Sequence, residues 1–312
     1  MSEQLSVTIC IVTYNSANDI EACLIAVKNQ TWPAIDIVIV DNASRDNTVE
    51  IVSSMIGETR VFRNENNTGF AAGQNLAIAQ SNSPYVLVLN PDVVLERDYV
   101  RKLVERAESD SSIGSATGCL TFISNPERID SAGMEINEMR RASERGAGRS
   151  VQEFQVAEEV FGVSGAAALY SRRMINAISI NGQFFDEDFF AYKEDVDVAW
   201  RAQLLGWKAW YEPRAKGIHG RNWGSRKDRK HISRKVRQHS HQNRYLMILK
   251  NEQFNLSWWS RLPKLVLYEV ALHGYLLVRD PGVLIGCIRN LVRLVPSAWN
   301  KRRKIQALRQ SF

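Results

Sequence analysis

The stretch 84–95, PYVLVLNPDVVL, constrains the fold more than any other. Tyr85–Leu89 is an uninterrupted apolar run in which Val alternates with Leu, bracketed by Ser83-Pro84 and Asn90-Pro91. A strand without a polar face must be covered on both sides, which places it inside a parallel sheet flanked by helices. It ends at Asn90-Pro91-Asp92, and in open α/β sheets ligands lie at the carboxyl ends of the strands. Asp92 is then either a carboxylate for a divalent cation bridging phosphates or a plain turn and cap residue.

The residues before it repeat the same unit. Residues 5–12 read as a strand ending in Thr13-Tyr14-Asn15-Ser16, with Asn15 and Ser16 as cap types ahead of a helix over 19–28. A second strand over 35–40 ends in Asp41-Asn42, and a helix starts over 46–55. Residues 60–63 form a brief third strand, and the loop 64–69 leads into an Ala-rich helix over 70–80. This β-α-β-α-β-α-β order predicts an α/β fold with a mostly parallel, doubly wound sheet and flanking helices. The polar strand ends then gather on one edge. There Asp41 suits a nucleotide's ribose or base, or else a turn. No G-x-G-x-x-G follows the first strand and no G-x-x-x-x-G-K-[ST] occurs, so dinucleotide dehydrogenases and P-loop enzymes lose their main support.

Downstream, 96–109 reads as an amphipathic helix, 115–122 as a strand, and the polar, Arg- and Gly-rich 125–156 as a mobile active-site loop or insertion. Residues 160–170 read as a strand with small residues at Gly165-Ala166-Ala167. The second chemical cluster is FFDEDFFAYKEDVDVAWR, residues 184–201. Its carboxylates lie among aromatics, and partial desolvation favours a base. Asp197 and Arg201, four apart, read as an ion pair, which leaves Glu194 and Asp195 for proton abstraction or for an acidic helix start. A strand over 206–211, a turn at Glu212-Pro213 and residues 215–218 lead to His219, a candidate metal or diphosphate ligand, or a plain structural histidine.

Charge divides the chain unevenly. Residues 220–312 carry 20 Lys+Arg against 4 Asp+Glu, whereas 1–219 carry 20 against 30. A basic tail on an acidic body implies an anionic partner. Cys10, Cys23, Cys119 and Cys287 show no metal-type spacing, and the apolar settings of Cys10 and Cys119 predict buried thiols in a reducing compartment. The first residues lack a basic, then apolar leader pattern, so a cytoplasmic chain is expected. Residues 262–278 and 281–299 are apolar but interrupted by Lys264, Glu269, His273, Arg289 and Arg293, and KRRK follows at 301–304. That suits helices lying in a membrane interface, with tryptophans 258, 259 and 299 as anchors, better than membrane spans; packing on the body is the alternative.

The motifs VTICIVTYNS, IVIVDNASRDNT, NENNTGFAAGQNLAI, VLVLNPDVVL and FFAYKEDVDVAWRAQLLGW, then His219, stand in an order that resembles family 2 glycosyltransferases over residues 5–220. Within the family the chain looks most like bacterial rhamnosyltransferases of cell-surface polysaccharide assembly. The resemblance implies a GT-A fold, a nucleotide-sugar donor (dTDP-rhamnose favoured), Mg²⁺ or Mn²⁺, and inversion at the anomeric carbon. It implies that Thr13, Tyr14, Asn15 and Asp41 hold base and ribose, and that Asn67, Gly69 and Asn75 lie beside the nucleotide. Asn90 and Asp92 stand where many relatives have Asp-x-Asp, so one charged ligand is replaced by an amide. Asp92 and His219 are the implied metal ligands; Asp195, ahead of Glu194, is the implied base. A catalytic domain over 1–225, with a nucleotide-sugar half to about 120 and an acceptor half beyond, and a basic extension over 226–312 are expected. The acceptor is expected to be a glycan or polyprenyl-linked glycan, at the inner face of a membrane. Two rivals remain: a nucleic-acid-binding protein using the basic residues 221–244, which leaves the acidic 184–197 cluster without purpose, and a nucleotide-sugar-binding protein without transferase activity.

Overall fold

Alternate residues of the central strands serve two separate cores. The computed structural model describes residues 5–57, 60–220 and 233–311. Val7, Ile9 and Ile11 of β1 (Val7–Thr13) pack with Leu87 and Leu89 of β4 (Tyr85–Leu89) under α1 (Ile20–Lys28) and α4 (Tyr99–Glu108). Cys10 and Val12 pack with Val86 and Val88 on the other face, beneath α3 (Gly69–Ala79), α5 (Arg172–Ile178) and α6 (Glu194–Leu204). Every residue of β1 and β4 is buried, as a doubly covered strand requires.

β2 (Ile35–Asp41) lies parallel to β1, and β3 (Val61–Arg63) parallel to β2; β4 lies parallel to β1 on its other side. α2 (Thr48–Ile56) joins β2 to β3. The sheet continues from β4 through β11 (Ala167–Ser171), β6 (Ile113–Phe122) and β12 (Lys208–His219) to β10 (Glu158–Val160). β11 runs antiparallel to both β4 and β6, so the half beyond β4 is mixed. β5 (Val93–Leu95) pairs antiparallel with the end of β12, which brings His219 opposite Val93 and next to Asp92.

Four local expectations change. The expected strand over 160–170 is two strands: β10 stops at Val160 and β11 begins at Ala167, because Gly162–Ala166 turns to meet α6. The expected loop over 125–156 is ordered. β7 (Asn125–Ser131) pairs with β6, and β8 (Met134–Ile136) forms a hairpin with β9 (Ala142–Glu144). These strands bury only Ile129, Met134 and a few small residues, too sparse a pattern for periodicity to reveal. The strand and turn expected over 206–218 are one strand, β12, with a bulge between Glu212 and Lys216. At the bulge the buried Glu212 carboxylate accepts from Arg106 and Arg214. The α1 cap also shifts: Asp19 takes the N-cap position, while Asn15 sits at φ 52 in the loop.

All four cysteines are buried and free, and burial pushes the Cys10 thiol up to about 12. Toward the C-terminus, α7 (Arg234–Asn251), α8 (Leu256–Arg279) and α9 (Pro281–Ser311) follow. α7 packs on α6 and α9 through a core containing Trp200, Leu246, Met247 and Ala298. The expected boundary at 225/226 and the basic residues 221–232 lie outside the described residues.

Candidate active site

The cleft forms where β1, β2 and β4 end. A cavity of about 690 Å³ is lined by Thr13, Tyr14, Asn15, Asn67, Gly69, Asn90 and Asp92, with Asn42 and Asp19. Thr13 Oγ1 donates to Asp41 Oδ1 at 2.8 Å, and Ser44 N donates to Asp41 Oδ2 at 2.9 Å. Asp41 is thus buried under the cleft, bracing the turn after β2, while its neighbour Asn42 reaches the lining. Asn67 Oδ1 accepts from Gly69 N and starts α3. Gly69 has φ +88, and a Cβ there would lie 2.5 Å from the Phe190 carbonyl oxygen, so no other residue fits. Asn75 faces elsewhere: its amide exchanges hydrogen bonds with the Phe185 backbone and reaches Glu187, clamping α3 to residues 185–187.

A second cavity of about 430 Å³ opens from the first, sharing Phe70, Asn90, Ala191 and Tyr192. Glu194 and Asp195, at the start of α6, line it. Asp195 is half-buried, and its carboxylate accepts from Gly165 N at 3.1 Å and Val196 N at 2.8 Å. Glu194 is buried, its Oε2 has no hydrogen-bond partner, and burial followed by the Asp195 charge pushes its carboxyl upward. The remaining carboxylates of the acidic stretch are structural. Asp197 binds Arg201 at 3.0 Å and Lys250 at 2.8 Å, and Asp186 and Asp188 bind Lys301.

Burying Glu194 in its protonated form has a measurable consequence. The folded chain holds a proton that the unfolded chain releases in the ordinary carboxylate range, so stability declines as pH rises from there toward the raised value. Glu194→Gln removes that decline. The variant is expected to gain in melting temperature over the parent steadily between pH 5 and 8.5; a gap independent of pH refutes the buried proton.

His219 closes the floor. Its Nδ1 donates to Asp130 Oδ2 at 2.7 Å, and its Nε2 lies 3.2 Å from Asp92 Oδ1. Burial opposes a charged ring, but the hydrogen bonds to Asp130 and Asp92 outweigh it and push His219 up to about 9. Burial and the Asp92 charge likewise push Asp19 up.

The loop 190–193 joins the cavities. Phe190, Tyr192 and Lys193 all have positive φ (61, 71 and 73), a costly run for residues with side chains. Asn243 of α7 holds it: its Nδ2 lies 2.7–2.9 Å from the carbonyl oxygens of Phe189, Ala191 and Tyr192. From the same helix His239 stacks on Phe190 at 5.3 Å, and Lys235 sits 5.4 Å from that ring; both line the larger cavity. None of these α7 residues, nor Asp130, stands out in the sequence, since each acts over more than 35 residues of separation.

The family model of glycosyl transferase family 2 matches residues 8–179, more than half of the chain. The chain belongs to glycosyl transferase family 2. The poly-beta-1,6-N-acetyl-D-glucosamine synthase of Staphylococcus aureus (strain MSSA476) is 26% identical to this family 2 chain over 220 residues, 69% of the chain and 50% of the synthase. The chain therefore spans about half the length of the curated relatives it matches. Among solved structures, GalNAc-T7 with UDP, GalNAc and Mn²⁺ matches at a TM-score of 0.62 and 15% identity, over 80% of this chain and 48% of that one. The mannosyltransferase PcManGT from Pyrobaculum calidifontis, in complex with GDP-Man and Mn²⁺, matches at 0.57 and 16% identity, over 98% and 86%. These likenesses establish the GT-A fold for this family 2 chain.

A divalent cation fits the cleft only as one shared with a ligand. Among the described residues no group of three or more His, Cys, Asp and Glu side chains is placed to hold a metal by itself. Asp92 and Asp19 instead put two carboxylates at the floor. His219, expected as a metal ligand, lies outside the cavity lining with both ring nitrogens engaged, Nε2 at Asp92 and Nδ1 at Asp130, so it orients the Asp92 carboxylate from behind. Mg²⁺ and its relatives are commonly held by one or two carboxylates with substrate phosphates completing the shell.

Proposed function

We propose that this chain is an inverting glycosyltransferase that moves a sugar from a nucleoside-diphosphate donor to a hydroxyl of a glycan or lipid-linked glycan. One observation carries the reading: Asp92 and Asp195 line two cavities that share one wall, so a donor diphosphate at Asp92 places its sugar toward Asp195. Asp195 takes the proton from the acceptor hydroxyl as its oxygen attacks the anomeric carbon, and the nucleoside diphosphate leaves on the opposite side. Gly165 N and Val196 N hold the carboxylate in place, and the neutral Glu194 beside it adds no negative charge. Tyr14 and Asn15 present a polar rim for the nucleotide, with Thr13 and Asp41 bracing it. Lys235 and His239 lie where they can meet the diphosphate. Asp92, with His219 behind it, would hold a Mg²⁺ or Mn²⁺, which would supply positive charge for the departing diphosphate.

The finer reading keeps L-rhamnose, from dTDP-rhamnose, as the donor sugar, on the motif resemblance alone. The relatives named above are named for N-acetylglucosamine, GalNAc and mannose, which makes UDP and GDP sugars the competitors. A thermal-shift panel of nucleotide sugars with Mg²⁺ or Mn²⁺, followed by product analysis, tests it: dTDP-rhamnose is expected to raise the melting temperature most. A larger shift with a UDP or GDP sugar removes rhamnose; no shift with any donor removes the transferase reading. Asp92→Ala is expected to abolish the part of donor affinity that depends on the cation. Calorimetry with and without Mg²⁺ reads this directly, and equal Mg²⁺ dependence in parent and variant takes Asp92 out of the metal role.

The location that fits is the cytoplasmic face of a membrane, without a span. No helix among the described residues is long and apolar enough to cross. α9 exposes Ile285, Ile288, Val292, Val295 and Trp299 at alternating spacings of three and four, and α8 exposes Trp259, Val266, Leu267, Val270 and Val278. Lys264, Arg279, Arg289 and Arg293 are exposed beside them, whereas the two carboxylates, Glu269 and Asp280, are half-buried in ion pairs. A cationic rim around an apolar stripe suits an anionic lipid surface and repels a second copy of itself.

A further inference from the structure

Beyond the two cavities of the proposed reaction lies a third, of about 420 Å³, between α7, α8 and the β9 hairpin. It meets the Asp195 cavity at Ala142, Tyr192, Lys193 and Ser240. Its lining includes five basic side chains, Arg141, Lys193, Arg237, His241 and Arg244, and no carboxylate. Two of the five are compensated: Arg244 by Glu269 at 2.6 Å and Arg237 by Asp280 at 2.7 Å. Among the described residues Arg141 has no carboxylate within ion-pair distance, and His241 has no hydrogen-bond partner. Burial, then the charges of Arg244, His273 and Arg141, push His241 down, and the Glu269 carboxylate only partly offsets them. The α8 residues in the lining, Tyr268 and Leu272, belong to the helix whose outer face carries the exposed apolar stripe.

We propose that this cavity binds the phosphate or diphosphate ester of the acceptor, holding its first sugar in the adjoining cavity at Asp195 and letting a lipid tail leave along α8. The inference deepens the transferase reading and rests on it. Arg141 and His241 supply the uncompensated contacts; Lys193, at the junction of the two cavities, ties anion binding to the base. An acceptor without a phosphate is a poor substrate on this account.

The test is calorimetric, on the full chain, with the donor cleft first filled by whichever nucleoside diphosphate raises the melting temperature most. Inorganic pyrophosphate and farnesyl diphosphate are each expected to bind the filled protein at one site. Arg141→Gln with His241→Gln is expected to weaken both by about tenfold while changing nucleotide affinity less than twofold; neither side chain makes an ion pair among the described residues, and an unchanged melting temperature checks that the fold is kept. No binding to the filled protein, or equal binding to the double variant, overturns the proposal. Displacement of pyrophosphate by phosphatidylglycerol vesicles, but not by phosphatidylcholine vesicles, assigns the cavity to a bilayer headgroup and overturns it too. A protein that binds no nucleotide at all fails earlier, at the transferase reading, so the two failures are separable.

Discussion

Asp195→Asn is expected to lower the turnover of sugar transfer by about a thousandfold, within the 10²–10⁴ range of a lost general base. Asparagine has the shape of aspartate, and its single carbonyl oxygen keeps one of the two contacts, to Gly165 N or to Val196 N, while its NH2 faces the other donor. Donor affinity, set in the cavity lined by Asp92 and Tyr14, is expected to change less than twofold. The loss then falls on kcat and not on the donor KM, the mark of an interaction made in the transition state. Glu194→Gln separates the two carboxylates. Glu194 is buried and protonated, so its amide is close to isosteric and isoelectronic with what stands there, and transfer is expected to drop by less than about tenfold. If Glu194→Gln is the dead variant and Asp195→Asn is active, the roles are reversed and the assignment of the base fails.

What could be read in the sequence follows the range of the interactions. The doubly buried strand Tyr85–Leu89 and the polar stop at Asn90-Pro91-Asp92 are local facts, and they place both the sheet and one end of the cleft. Asp195 stands out in the sequence because an acidic pair among aromatics is locally unusual. The fates of several neighbours are set at longer range. Asp186 and Asp188 look equally suited to chemistry, and only cations more than 50 residues away, Lys250 and Lys301, turn them into structure; the Asp197–Arg201 pair is local, but its further contact to Lys250 is not. Asn75 follows the same logic, the Phe185 backbone taking both ends of its amide, and Asp41 is held under the cleft by Thr13 and Ser44. Asn243, His239 and Lys235 carry no local signal because α7 is polar on most sides, and its role depends on docking beside a loop that begins at Phe190.

That docking rests on buried charge, and removing one member is expected to be the most destabilising single change. Lys250 is 2% exposed; its Nζ contacts Asp186 and lies 2.8 Å from Asp197 Oδ2. Around it three cations (Arg201, Lys250, Lys301) face three carboxylates (Asp186, Asp188, Asp197), and Asn251 donates to Asp197 at 2.8 Å. Lys250→Met keeps the apolar stem and leaves one negative charge unmatched in the interior, a change that costs about 3–5 kcal/mol when a buried pair is broken. Chemical denaturation is expected to register a loss of that order, with α7 and the catalytic body unfolding in one transition in the parent, as two parts of one cooperative unit. The pH dependence identifies the cause. In the parent, burial acts to raise the Asp186 carboxyl, but Lys250 and Lys301 outweigh it and hold it well below the usual range, so the stability it contributes is present above that range and is lost on acidification. Without Lys250 much of that depression is gone, and less stability remains to lose. The gap between parent and variant is therefore expected to hold from pH 7 down to about 4 and to narrow as pH falls below that. A gap that is constant with pH points to lost packing alone, and a loss below about 1 kcal/mol means that α7 is held by its apolar contacts and not by this cluster.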